Sequence, residues 1–185
     1  MAGDMLLTLI VLLAALLAGF LGYVATREGK FRYERSGLIA APPERVFPFA
    51  SEFKKGGLWS PYEQKDPAMK KRFAGPEGAA GSIMEFEGNR EVGSGKLELL
   101  EVVPNERVRI RLTMIKPFKA ENLVEYRLVP EAAGTRFFWI MSGDGGFMGK
   151  LMTTLIDCEK MIGDQFSTGI ENLKKVVENE LERKA

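Results

Sequence analysis

The chain has 185 residues, 45% of them hydrophobic and 28% charged, with a formal net charge of +1. That length holds one ordinary domain plus a short extra element, and a near-neutral mixture of charges argues against nucleic acid as a partner. Cys158 is the single cysteine and there is no histidine, which excludes an intrachain disulfide, a cysteine-based metal cluster, histidine-dependent nucleophile systems and the usual zinc sites.

Met5 to Ala25 is a run of 21 residues without a charge, in which only Thr8 and Tyr23 are polar. As a helix it measures about 31 Å, matching the hydrocarbon core of a bilayer. Asp4 precedes it and no Lys or Arg does, the run is longer than a signal-peptide core, and no small-x-small site follows. It is therefore read as a membrane anchor in preference to a cleaved signal peptide, with residues 1–27 as anchor and 28–185 as the globular domain. Arg27, Lys30, Arg32 and Arg35 follow. Such a flank predicts a single-pass protein of the cell membrane whose globular domain is cytoplasmic, and a disulfide-free domain fits that side.

A first strand is expected from about Phe31 to Ala41. Pro42-Pro43 then opens a short helix, Glu44 to Phe53, because proline fits the first helical turn. Gly56-Gly57 breaks it, and Leu58 to Tyr62 follows as a turn or a second short helix. The middle of the chain alternates at period two. Met84 and Phe86 oppose Glu85 and Glu87; Leu97 and Leu99 oppose Lys96 and Glu98; Val108, Ile110, Leu112 and Met114 oppose Arg107, Arg109 and Arg111. Asn122, Val124, Tyr126 and Leu128 alternate with Glu121, Glu125 and Arg127, and Phe137, Trp139 and Met141 continue the inward set. This is the pattern of antiparallel strands with one apolar and one wet face, and short Gly/Pro-rich separators imply a meander of about six strands.

From Leu151 the apolar positions Leu151, Leu155, Cys158, Ile162, Phe166, Ile170, Leu173 and Val177 fall at steps of three and four. They predict one long amphipathic helix closing over the sheet. Gly163 and Gly169 sit inside it at about 1 kcal/mol each relative to alanine; close packing and room for a ligand both explain them.

From about Glu34 to Glu178 the chain resembles the SRPBCC superfamily of START-like, helix-grip proteins, and within it the polyketide cyclase/dehydrase-type branch. The resemblance rests on Ala40 to Phe47, the Trp59-Ser60-Pro61 turn, Phe86-Glu87-Gly88-Asn89 with Gly93-Ser94-Gly95, Gly134-Thr135-Arg136 with Trp139, and Asp164-Gln165-Phe166 with Gly169 to Lys174. It implies an α+β fold in which a seven-stranded antiparallel sheet wraps round the C-terminal helix, here preceded by one transmembrane helix. It also implies an apolar cavity between sheet and helix. It supplies no catalytic motif, and catalytic residues stay unassigned.

The candidate ligand-binding residues are the inward positions Met84, Phe86, Leu99, Ile110, Met114, Trp139 and Met141, with Ile162 and Phe166 from the helix. Asn122 and Tyr126 are polar groups on inward rows, free either to hydrogen-bond a ligand or to bond a neighbouring strand. Trp59 is expected near the cavity mouth, as a gate or a cover. Asp144, Asp157, Glu159, Asp164, Tyr62 and Tyr126 are the acid–base candidates. For Asp144 capping of the helix is the plainer role, and Asp157 and Asp164 flank the apolar stripe instead of lying within it. The arginine row 107, 109 and 111 is read as a wet sheet face, with contact to anionic head groups as a further role.

The expected function is membrane-anchored binding or transfer of a hydrophobic small molecule or lipid, with the bilayer reached through residues 5–25 and no cofactor or metal. The alternatives are a cyclase/dehydrase-like enzyme, which the missing histidine disfavours, and an interaction module whose cavity is filled by side chains.

Overall fold

The structure is a computed structural model and describes residues 2–183. Its elements are a long helix α1 (Ala2–Thr26), strand β1 (Lys30–Ile39), short helices α2 (Pro43–Ser51), α3 (Phe53–Gly56) and α4 (Pro61–Lys65), and strands β2 (Lys70–Ala74) and β3 (Ile83–Glu87). Then come β4 (Ser94–Val103), β5 (Arg107–Lys116), β6 (Ala120–Glu131) and β7 (Gly134–Asp144), and helices α5 (Gly146–Leu155) and α6 (Cys158–Glu182). The chain divides into two compact units, Met1–Phe31 with Asp144–Cys158, and Arg32–Gly143 with Glu159–Ala185.

In the larger unit the seven strands form one antiparallel sheet in the order β1-β7-β6-β5-β4-β3-β2. Strands β2 to β7 are thus the expected meander, and β1 closes on β7. Turn chemistry sets the connections. Asn105 takes φ 62° between β4 and β5, the left-handed conformation that asparagine tolerates better than most residues. At Gly93, with φ 75°, a side chain would run into the Lys116 carbonyl.

Directly paired residues of antiparallel strands share a face, so the register writes out the inner face row by row. One row is Phe73, Met84, Leu97, Leu112, Asn122 and Gly143; the next is Leu99, Ile110, Val124 and Met141. A third is Val102, Val108, Tyr126 and Trp139, and Leu128 pairs with Phe137. A bulge at Leu100, between the Leu99 and Glu101 pairs, keeps both ends of β4 in phase with β5.

Helix α6 buries Gly163, Phe166, Gly169, Ile170, Leu173 and Val177 against this face. Two side-chain bonds tie down the end of β1: Thr135 Oγ1, fully buried, donates to the Ala41 carbonyl at 2.7 Å, and Glu178 Oε1 accepts from Ala40 N at 3.1 Å.

The closing helix is not continuous from Leu151. It breaks after Leu155, where Ile156 is extended (φ −134°, ψ 140°), and restarts at Cys158. Thr153 and Thr154 turn their hydroxyls back onto the carbonyls of Gly149 and Lys150, a local competition that weakens helix continuation. β-branched Ile156 prefers the extended state, and Asp157 is a residue type favoured just before a new helix. Leu155 is 63% exposed and Leu151 only half-buried, so the first part of the expected stripe supplies no fully buried side chain.

In the smaller unit α1 is 25 residues long, about 37 Å at 1.5 Å per residue, and it is the one described helix long and apolar enough to cross a membrane. Its leucines are exposed along their length, Leu16 by 72%, whereas Val24 near its end is fully buried. Lys150 Nζ donates to the Ala25 carbonyl at 3.0 Å, and Gly145 N donates to the Gly29 carbonyl. A lysine on the last carbonyls of a helix satisfies groups that lack an intrahelical partner and suits the negative end of its dipole.

Candidate ligand-binding site

The inner sheet face is sealed at one end and half-open at the other. Leu99, Ile110, Val124, Trp139, Met141 and Phe166 are buried, and so is Met84 at their edge. Phe86, Leu97, Leu112, Met114 and Asn122 are only half-buried, and Phe73 is exposed. Phe86 and Met114 flank Gly95 in register, where any side chain would meet the Phe86 ring. The result is a half-exposed apolar strip on the inner face of β3 to β5, bordered by Asn122 of β6. Ile162 is half-buried one residue before the buried stretch of α6 begins.

Aromatic rings build the sealed end. Trp139 stacks on Phe166 with centroids 4.4 Å apart and planes 10° apart, and meets Tyr126 edge-on at 5.5 Å. Trp59 touches Tyr126, Phe137 and Trp139 at 5.7, 5.9 and 5.2 Å, all edge-on, a favourable geometry for ring quadrupoles. Of the two roles expected for Trp59, gate or cover, its burial fits the cover. Trp59 is 2% exposed, its Nε1 donates to the Phe49 carbonyl at 2.9 Å, and Asn172 Nδ2 donates to its carbonyl. The turn before α4 carries it inward because Pro61 starts a helix there and packs below Gly169.

One polar group at this end stands out because it is unmatched. Trp139 Nε1 is buried with no hydrogen-bond partner among the described residues. Tyr126 and Tyr62 are half-buried. Burial pushes the Tyr62 phenol up to about 12. Burial also raises Tyr126, and a charge on Tyr62 would raise it further. Both stay protonated at neutral pH.

The remaining acid–base candidates have other duties. Asp144 Oδ1 accepts from Gly146 N at 2.9 Å at the start of α5, the capping role, and Asp164 pairs with Lys160 at 2.7 Å on an exposed face. Glu159 lies 3.7 Å from Arg35, and Asp157 is exposed. On the outer sheet face Arg107 and Arg109 converge on Glu101, whose carboxyl the Arg107 guanidinium holds below its usual range, while Arg111 reaches Glu98 and Glu121. That row is an ion-pair ladder, already supplied with its own anions.

Phe137 lies on the inner face as its alternation predicts, paired with Leu128 and in edge-on contact with Trp59, and Tyr62, an acid–base candidate, is half-buried in α4. Lys71 shares the Phe86 row and pairs with Glu63 of α4. A lysine on an inward position of an edge strand reads from sequence as an ordinary solvent-facing charge.

Residues 30–178 match the family described as polyketide cyclase / dehydrase and lipid transport. Solved structures share the fold. A protein from Chromobacterium violaceum has 19% identity and a TM-score of 0.57, covering 81% of this chain and 97% of that one. A Mesorhizobium loti protein has 17% identity and a TM-score of 0.61, with coverages of 80% and 98%. Aha1 from Colwellia psychrerythraea, solved in solution as a dimer, has 15% identity and a TM-score of 0.57, covering 80% and 96%. No curated protein matches the chain. With its α+β helix-grip-like sheet and a match over residues 30–178, the chain belongs to the polyketide cyclase / dehydrase and lipid transport family.

Proposed function

We propose that this protein is a membrane-anchored binding protein for a hydrophobic small molecule or lipid, taken up in the trough between sheet and closing helix. The observation that carries the reading is the half-buried apolar set Phe86, Leu97, Leu112 and Met114, drawn from two neighbouring rows of the inner sheet face. A core filled for its own sake would seal these side chains. An apolar ligand gains about 25 cal/mol per Å² of apolar area that it and they remove from water. The family description, which includes lipid transport, supports the same reading.

The anchor reading is supported by the end of α1, which is built into the fold through buried Val24 and the Lys150 bond to Ala25; a cleaved leader has no such partners. Helix α5 adds Phe147 and Met148, both nearly half exposed, beside a helix whose length suits a bilayer, a composition that suits the lipid interface. For the enzyme alternative the relevant groups are Tyr62 and Tyr126. Phenols held above their ordinary range provide no base at neutral pH, and this favours binding.

Two measurements test the proposal. The full chain in lipid nanodiscs should take up Nile red with a blue-shifted, saturable emission that Leu112→Trp, which fills the trough, abolishes. The intact chain, with its N-terminal residues present by mass, should stay with membranes after an alkaline carbonate wash. Unsaturable uptake unaffected by Leu112→Trp refutes the binding site, and release by carbonate refutes the anchor.

A further inference from the structure

Helix α5 is two-sided. At about 3.6 residues per turn, Phe147, Met148, Leu151, Met152 and Leu155 fall on one face, and Gly149, Lys150, Thr153 and Thr154 fall on the other. An apolar helix face of this kind ordinarily ends up in a core. Yet no residue of α5 is buried: Phe147 is 47% exposed, Met148 45% and Leu155 63%, and Ile156, which follows the helix, is 43% exposed. The polar face is the occupied one. Lys150 donates to the Ala25 carbonyl, and Thr153 and Thr154 bond back to Gly149 and Lys150.

The end of α1, in the same compact unit, sets the level at which the bare face lies. With α1 crossing a bilayer, its uncharged run ends at Ala25. Tyr23, with the Arg27 guanidinium 5.9 Å from its ring centroid, is then the aromatic residue and cation that suit the boundary between hydrocarbon and water. Helix α5 is fastened at that level. Lys150 holds the Ala25 carbonyl, Gly145 N donates to the Gly29 carbonyl at 3.0 Å, and a β-carbon on Gly29 would come within 3.3 Å of Lys150 Cε.

We infer that α5 is a second membrane element, a helix lying in the plane of the bilayer surface with Phe147, Met148 and Leu155 in the lipid. The inference rests on α1 being the anchor and adds what an anchor lacks. A single crossing helix leaves its unit free to swivel, and an in-plane helix fixed to its end removes that freedom. The partner is the apolar boundary of the bilayer and not a particular head group. Lys150 is the one charge on α5 and is engaged with Ala25. Sinking the apolar face by about 5–10 Å therefore needs no anionic lipid, and it is insensitive to salt.

The test places one dye-labelled cysteine at a time in the full chain, on a Cys158→Ser background, in phosphatidylcholine nanodiscs. Met148→Cys and Leu155→Cys report the apolar face, Thr153→Cys the polar face, and Leu16→Cys the middle of α1. Each carries nitrobenzoxadiazole, which brightens and shifts to the blue out of water, and is quenched by nitroxide lipids. The in-plane helix predicts blue-shifted emission at Met148→Cys and Leu155→Cys, and quenching by a nitroxide near the head-group end of the acyl chain about twofold or more stronger than at Thr153→Cys. High salt should change neither. Quenching of Leu16→Cys by a nitroxide at the far end of the acyl chain, with water-like emission at Met148→Cys and Leu155→Cys, overturns the in-plane helix and leaves the anchor standing. An unquenched Leu16→Cys overturns both. Blue-shifted labels on α5 that no lipid quenches mean that protein, such as a second copy of the chain, covers the face, and this too overturns the inference. On the unsubstituted chain a phospholipid with a photoactivatable diazirine near its head group should cross-link to residues 146–156. Cross-links confined to α1 would overturn the in-plane helix whatever the folding of the variants.

Discussion

Gly169 lies so close to Trp139 that a β-carbon on the glycine would sit 2.5 Å from Cζ3 of the indole. Pro61 Cδ closes the other side at 3.1 Å. The glycine is there because the backbone of α6 touches the ring that stacks on Phe166, and close packing, one of the two explanations open from sequence, accounts for it. Gly163 differs in kind: a β-carbon there would meet only the guanidinium of Arg35, the end of a flexible side chain.

The two glycines therefore respond oppositely to alanine. Gly169→Ala overpacks a fixed ring and should cost about 1–3 kcal/mol, lowering the melting temperature by several degrees at roughly 2–4 °C per kcal/mol. Gly163→Ala displaces Arg35 and recovers helix propensity of up to about 1 kcal/mol, leaving the midpoint level or slightly raised. Thermal unfolding of the full chain in detergent, followed by near-ultraviolet circular dichroism, compares the pair. Equal loss in both would contradict the assignment.

Thr135 is fully buried, and its hydroxyl holds the Ala41 carbonyl at 2.7 Å. Thr135→Val keeps the shape and strands a buried acceptor, so it should destabilise by about 1–3 kcal/mol. The same melting experiment checks it. A neutral result would mean that water replaces the hydroxyl.

The tyrosines give a pH signature. Well below pH 10 both phenols are neutral in the folded and unfolded chain and the stability is complete. Above pH 10 the unfolded chain releases its phenolic protons while the folded chain retains them, to about 12 at Tyr62. The unfolded state then binds fewer protons, and stability falls with rising pH by up to about 1.4 kcal/mol per unit for each phenol. Denaturant midpoints from pH 9 to 11.5 should fall less steeply in Tyr62→Phe and Tyr126→Phe. Absorbance at 295 nm should show these two of the four tyrosines ionising late.

Cys158 is half-buried, and burial followed by the Asp157 charge raises its thiol above the ordinary range. Little thiolate exists at neutral pH, so alkylation by iodoacetamide should be slow at pH 7.5 and still accelerating beyond pH 9. Asp157→Asn should recover part of the rate. A rate that levels off below pH 9 would refute the shift.

The sheet was legible in the sequence because period-two alternation and cross-strand pairing report the same fact. Met84, Leu99, Ile110, Tyr126 and Trp139 face inward as their spacing predicts. The break at Ile156 was not legible, since Leu151 and Leu155 continue the helical stripe and the interruption comes from threonine back-bonding and one extended residue. The burial of Trp59 escaped for a related reason: a turn residue's direction depends on where Pro61 docks, a tertiary fact. The unmatched Trp139 N–H lay furthest from view, because an orphan donor is visible only after every possible acceptor has been placed.

The central claim is that the trough holds a lipophile, and the direct measurement is what the full chain carries when purified from membranes. Solvent extraction and mass spectrometry should find one lipophile, or a narrow set, near one equivalent per chain, and far less in Leu112→Trp prepared identically. An extract indistinguishable between the two proteins and the detergent blank would contradict the account.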